Sequence, residues 1–200
     1  MAETNIQRPP IFLFTDGASS GNPGPGGYGV VLKCAGREME MSGGFSLTTT
    51  NRMELLAVIK GLEAIRWQNA EVHVYSDSSY VVNAINKGWL ENWQRKGYAK
   101  VKNPDLGMRF ARLYKMHRVS FHWIKGHAGH PENERCDALA VAAGAGAVAA
   151  GQPLPPDPGY QPDEPGLIKP TGPPSENRTT NRNQDHQPEN RDRPTGDRDR

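Results

Sequence analysis

Apolar residues run out near residue 150 of this 200-residue chain, and that break decides how much of it can fold. The last 50 residues hold 11 of the 17 prolines, and of the set AVILMFWYC only Leu154, Tyr160, Leu167 and Ile168. So little apolar surface cannot offset the entropy lost on ordering a chain. The sequence therefore predicts a short N-terminal extension over 1–8, one globular domain over 9–146, and a disordered polar tail over 147–200. The tail is expected to be solubilising, with weak protein or nucleic-acid contacts as its alternative role. Removing residues 150–200 is expected to leave stability and catalysis nearly intact.

The same break reinterprets the charge. The formal total of +2 is near neutral. The tail carries seven basic and nine acidic residues, which leaves 17 basic against 13 acidic in the first 150. Within the domain, residues 87–125 hold ten basic side chains against only Glu91 and Asp105. The rest of the domain is therefore net acidic, and one segment has the charge to hold phosphates. No run of 18 apolar residues is present, so no membrane helix is expected. The start, MAETNIQRPP, lacks the pattern of a signal peptide. Two cysteines, Cys34 and Cys136, make no disulfide framework and suit the cytoplasm. No internal repeat is visible.

Periodicity gives the elements. Residues 11–14 form an apolar run followed by Thr15-Asp16-Gly17, the pattern of a buried strand ending in a turn. Further strands are expected over 28–34, 37–45, 72–75 and 119–124. Leu55, Val58, Ile59, Leu62 and Ile65 recur at helical spacing and predict an amphipathic helix over 51–67. Shorter helices are expected over 79–85, 89–96 and 106–116, and a last one opens at Pro131, a favoured first-turn position. This order argues an α/β fold with a mixed sheet covered by helices.

Asp16 and Asp77 each follow a buried strand, and ligand sites in open α/β sheets form at such carboxyl ends. Glu54 falls in the first turn of the long helix and Asp137 in the last helix. Four carboxylates without a cysteine cluster would make a hard-oxygen site suited to Mg²⁺ or Mn²⁺. Each acid also has a plain structural use. Asp16-Gly17 suits a turn, Asn51-x-x-Glu54 a capping box, Asp77-Ser78 a helix cap, and Asp137 an exposed helix charge. Spacing alone leaves both uses open.

Four segments add what spacing lacks: DGASSGNPGPGGYG at 16–29, TTNRMEL at 49–55, SDSSY at 76–80 and WIKGHAGHPENERCD at 123–137. In this order and spacing they closely resemble bacterial ribonuclease HI over residues 9–145. The resemblance implies the ribonuclease H-like fold, a five-stranded mixed sheet with helices on both sides. It implies a monomer that cleaves the RNA strand of RNA–DNA hybrids with divalent metal. Asp16, Glu54, Asp77 and Asp137 would be the metal-binding carboxylates and His127 a mobile catalytic histidine. Asn22, Asn51 and Ser79 would contact the hybrid, and Thr49 and Asn92 would seat a DNA phosphate. Ser79 replaces a longer glutamine common at that position. Trp89, Trp93, Arg95 and Lys96 fall in the family's basic, tryptophan-bearing handle, which is several residues shorter here between Gly97 and Asn103. Two metals about 4 Å apart would favour in-line water attack, leaving 5′-phosphate and 3′-hydroxyl ends.

Two rival motifs fail on context. Gly24 to Gly29 matches GxGxxG in form but runs into a strand instead of opening a helix, so no dinucleotide is expected. A tight turn that lets the backbone approach nucleic acid is the expected role. His127-x-x-His130 with Cys136 fits no standard zinc spacing.

Overall fold

The computed structural model describes residues 8–162. The elements follow the predicted order. Strands β1 (Ile11–Ser19), β2 (Gly24–Cys34) and β3 (Arg37–Thr48) form an antiparallel meander. Helix α1 (Thr50–Glu63) leads to β4 (Glu71–Ser76). Helices α2 (Ser79–Asn86), α3 (Trp89–Arg95) and α4 (Pro104–Met116) precede β5 (Arg118–Trp123), and α5 (Pro131–Ala150) follows. The five strands make one mixed sheet in the order β3-β2-β1-β4-β5, with β1, β4 and β5 parallel.

The core lies between the sheet and α1 to α4. Ile11, Leu13, Val30, Val72 and Val74 meet Met53, Val58, Ile59, Leu90 and Phe110 there. The sequence reads α1 as amphipathic, but every residue from Arg52 to Ile59 is buried. The helix is central, with the sheet on one side and α4 on another, so it has no wet face from Arg52 to Ile59. Among the described residues no helix is long and apolar enough to cross a membrane.

Two differences from the sequence reading bear on function. First, β1 does not stop at Phe14 and the glycine-rich run is not a free turn. Residues 16–19 pair with residues 26–29, so Asp16 lies within a strand opposite Gly29. A side chain at Gly29 would collide with the Cys136 carbonyl of α5. The missing Cβ atoms at Gly27 and Gly29 let α5 lie directly on β2, so this part of the run meets a helix. Second, the tail does not begin at residue 147. Helix α5 runs to Ala150, and residues 151–162 return to the domain, where Asp157 meets Arg52. Counting apolar residues misses this because the segment docks through a carboxylate. Residues 163–200, most of the expected tail, lie outside the described residues, as do residues 1–7 of the expected extension.

Candidate active site

Parallel pairing of β1 with β4 matches Ile11 to Val72 and Phe14 to Tyr75, a register that brings Asp16 level with Asp77 at the strands' carboxyl ends. The third acid comes from α1. A side chain at Gly17 would strike the backbone of Met53 and Glu54, so glycine there lets the helix start against the strand. Gly17 N–H also donates to Asp16 Oδ1 at 2.8 Å, the local turn chemistry seen in the sequence, here within a strand. Ligand oxygens of Asp16, Glu54 and Asp77 all lie within 4.8 Å of one another. Asp137, half-buried on α5, stands outside that group. Its charge still reaches the group and disfavours ionisation of Asp16 and Glu54.

Burial, and then the charge of Asp77, pushes the Asp16 carboxyl up to about 7. Burial drives Glu54 well above the usual carboxylate range, with Asp16 and Asp77 adding to the effect. Glu54 Oε2 is buried with no hydrogen-bond partner. Clustered, desolvated acids with an unused acceptor are costly unless a cation joins them. Oxygen-only donors of this kind fit a divalent ion such as Mg²⁺.

The capping box expected at Asn51 is not formed. Thr49 is the N-cap of α1, its hydroxyl accepting from Arg52 N–H at 3.3 Å, so Glu54 is left to the acid group. Ser78 caps α2, so Asp77 is likewise not needed as the cap. His127 is exposed on the loop between β5 and α5, with φ of 52°.

The expected substrate residues divide. Asn22, Asn51 and Ser79 are exposed around the N-termini of α1 and α2, and Asn22 Oδ1 accepts from Thr50 N–H at 3.3 Å. Arg95 and Lys96 are exposed at the end of α3. Trp89 is half-buried, with Lys87 Nζ 5.9 Å from its ring. Trp93 is corrected: it is 6% exposed and packs on Tyr80 in the core, so its ring is not free to stack on a base. Asn92 is half-buried and its Oδ1 accepts from Arg95 Nη2 at 2.8 Å, and no hydrogen bond among the described residues ties it to Thr49.

Sequence reasoning missed several neighbours of these residues. Asn133, 3% exposed, approaches Asp77 Oδ2 at 3.5 Å, and its own Oδ1 has no partner. Trp123 Nε1–H donates to the Asp77 carbonyl at 3.2 Å. Arg52 is 2% exposed and binds Asp105 and Asp157, with Asn103 alongside. The sequence carries no mark of this burial, which the fold alone reveals and which a guanidinium seldom accepts unpaired.

A family model for RNase H matches residues 8–145. The chain belongs to the ribonuclease H family. A Ribonuclease H of Desulforamulus reducens is 56% identical over 145 residues, which cover 70% of this chain and 89% of that protein. A Ribonuclease H of Nitratidesulfovibrio vulgaris strain DP4 is 51% identical over 155 residues, covering 75% and 96%. Among solved structures, LC9-RNase H1, a type 1 RNase H with the type 2 active-site motif, aligns with a TM-score of 0.64 at 26% identity, over 86% of this chain and 100% of that one. LC11-RNase H1 in complex with RNA/DNA hybrid aligns with a TM-score of 0.51 at 31% identity, over 69% and 99%. Family membership explains why the four sequence segments fall where they do. Three of them carry the acids of the compact group and the fourth carries His127 and Asp137.

Proposed function

We propose that this ribonuclease H family member is an endonuclease that hydrolyses the RNA strand of RNA–DNA hybrids. The convergence of Asp16, Glu54 and Asp77 within 4.8 Å, in a chain of this family, carries the reading. The solved relative in complex with RNA/DNA hybrid supports the choice of substrate. Asp16, Glu54 and Asp77, with Asp137 at the margin, would hold divalent metal, Mg²⁺ by preference. Bound as a pair, such ions supply an activated water and charge neutralisation at the leaving oxygen.

The chain's own residues do the rest. The carboxylates fix the geometry of the site from three rigid elements, which is what in-line attack requires. Asn133 steadies Asp77 from α5. His127, on its exposed loop, moves a proton or releases product, a task suited to imidazole near neutral pH. The exposed basic residues from Lys87 to Lys102 hold phosphates, Trp89 adds an aromatic surface, and Asn22, Thr49, Asn51 and Ser79 meet the strands near the acids. Strand choice follows from shape and from 2′-hydroxyl contacts, with no base-specific reading. The products carry 5′-phosphate and 3′-hydroxyl ends. The proposal extends to a monomer acting in the cytoplasm, where Cys34 and Cys136 stay reduced.

The test is incubation with labelled RNA–DNA hybrid, duplex DNA and duplex RNA, each with Mg²⁺ and with chelator. Loss of the hybrid's RNA strand alone, and only with metal, is expected. Cleavage of duplex DNA at a similar rate would redirect the reading to a DNA nuclease of the same fold. Binding of hybrid without any cleavage would make the protein a binding module.

A further inference from the structure

Residues 152–160 lie past the region matched by the family model, yet they carry a carboxylate into the domain. The Asp157 side chain is only 5% exposed. Arg52 grips it with two parallel bonds, Nε to Oδ2 at 2.7 Å and Nη2 to Oδ1 at 2.9 Å. This fork geometry fixes orientation as well as charge. The buried Thr48 hydroxyl donates to Asp157 Oδ2 at 2.7 Å, and Ser46 N–H on edge strand β3 donates to the Pro155 carbonyl at 2.9 Å. Glycine at 159 lets the chain pass, because a side chain there would collide with the Asp105 carboxylate and Arg52.

The placement of these contacts gives them meaning. Asp157 is held by Thr48 on one side of Thr49 and by Arg52 on the other. Thr49 itself caps α1 through the Arg52 amide. The next residue, Thr50, is tied to Asn22 through its N–H and to Ser19 through its hydroxyl, 2.8 Å away. One carboxylate from the C-terminal segment thus locks the turn that presents Thr49 and neighbours Asn22. Burial alone would raise the Asp157 carboxyl, but Arg52 and the Thr48 hydroxyl outweigh it and hold the group below its ordinary value. The charge that makes the clamp is therefore present at neutral pH.

We propose that residues 152–160 are a working part of the hybrid-binding site, with Asp157 a positioning residue that, through buried Thr48 and Arg52, sets the Thr49–Thr50 rim against a backbone phosphate of the hybrid. The inference rests on the proposed reading of Thr49 as a strand contact. Its signature is a change in KM without a comparable change in kcat, because the acid group is built from β1, β4 and the next turn of α1.

The experiment compares full-length wild type, Asp157→Ala, Asp157→Asn, Thr49→Ala and the double variant Thr49→Ala/Asp157→Ala. Each is assayed well below its melting temperature, with folding checked by circular dichroism. Asp157→Ala should raise KM for hybrid by about 5- to 10-fold, the effect of one lost charge-assisted contact, with kcat changed less than about 2-fold. Asp157→Asn, which retains an acceptor for Thr48, should recover part of the loss. In the Thr49→Ala background, Asp157→Ala should add almost nothing, since both act on one contact. A lower melting temperature with unchanged KM for Asp157→Ala would overturn the inference and make the clamp purely structural. A fall in kcat as large as the rise in KM, or larger, would also overturn it, by placing the effect on Glu54. A Thr49→Ala variant with wild-type KM would overturn the strand-contact reading beneath it.

Discussion

Replacing Asp16 with asparagine should stabilise the metal-free protein while nearly abolishing its activity. Burial and the neighbouring Asp77 charge raise the Asp16 carboxyl from 3.8 to about 7. An acid whose native pKa lies above its unfolded value binds its proton more tightly when folded. Its contribution favours folding below the unfolded pKa and is lost as pH rises through the folded one. Above pH 7 the ionised group therefore opposes folding by up to about 4 kcal/mol, at about 1.4 kcal/mol for each tenfold change in proton affinity. Most of that penalty develops between about pH 4 and 7, and Glu54 shifts in the same direction. Asp16→Asn removes one charge and relieves the other acids. In chelator at pH 8 its melting temperature should exceed wild type by on the order of 10 °C, at about 2–4 °C per kcal/mol for a domain of this size. At pH 4 the advantage should shrink to a small fraction of that. Differential scanning calorimetry at both pH values, with and without Mg²⁺, measures it. Mg²⁺ should raise the wild-type melting temperature and barely move the variant's. A variant no more stable than wild type at pH 8 in chelator would refute the argument that these acids are held together against their own charge.

Other outcomes follow from the same geometry. Gly29→Ala should cost about 1–3 kcal/mol by forcing α5 off β2, read from urea unfolding, and should lower kcat by shifting Asp137. His127→Ala should lower kcat by about 10²-fold or more yet retain measurable turnover, whereas Asp16→Asn should retain almost none. Trp93→Ala should lose about 3–5 kcal/mol of stability as a core deletion. Lys96→Ala should leave stability unchanged while weakening hybrid binding and reducing its salt slope by about one.

Much of the fold was legible because burial leaves a period in the sequence. The five strands and the long helix follow from apolar spacing, whereas the parallel pairing of β1 with β4 that sets Asp16 level with Asp77 is seen only in the fold. Asp16 and Asp77 were legible as candidates because each follows an apolar run, but their meeting was not. Glu54 was ambiguous on spacing alone. A capping box and a metal ligand look alike in sequence, and only the choice of Thr49 as the cap separates them. Trp93 was misread because a tryptophan among lysines has the same spacing whether it faces solvent or the core. The Asp157 clamp was invisible to any apolar count, since its docking energy lies in one buried ion pair. Its partner Arg52 follows the polar run Thr48-Thr49-Thr50-Asn51 and lies two residues before Glu54, so nothing in its neighbours marks it as buried. Residues 16–29 show the converse error. Glycines there suggested a tight turn, but Gly24 to Gly29 continue strand β2, and Gly27 and Gly29 lie bare against α5.

In the proposed reaction, buried carboxylates direct water at a phosphodiester of the RNA strand. End-group mapping of the cleaved strand tests this most directly. With 5′-labelled RNA in a hybrid and Mg²⁺ present, the expected fragments have 3′-hydroxyl ends that a polymerase extends without prior phosphatase treatment. Fragments with 2′,3′-cyclic phosphate ends would contradict it, because they would show that the neighbouring 2′-hydroxyl, and not water, had attacked.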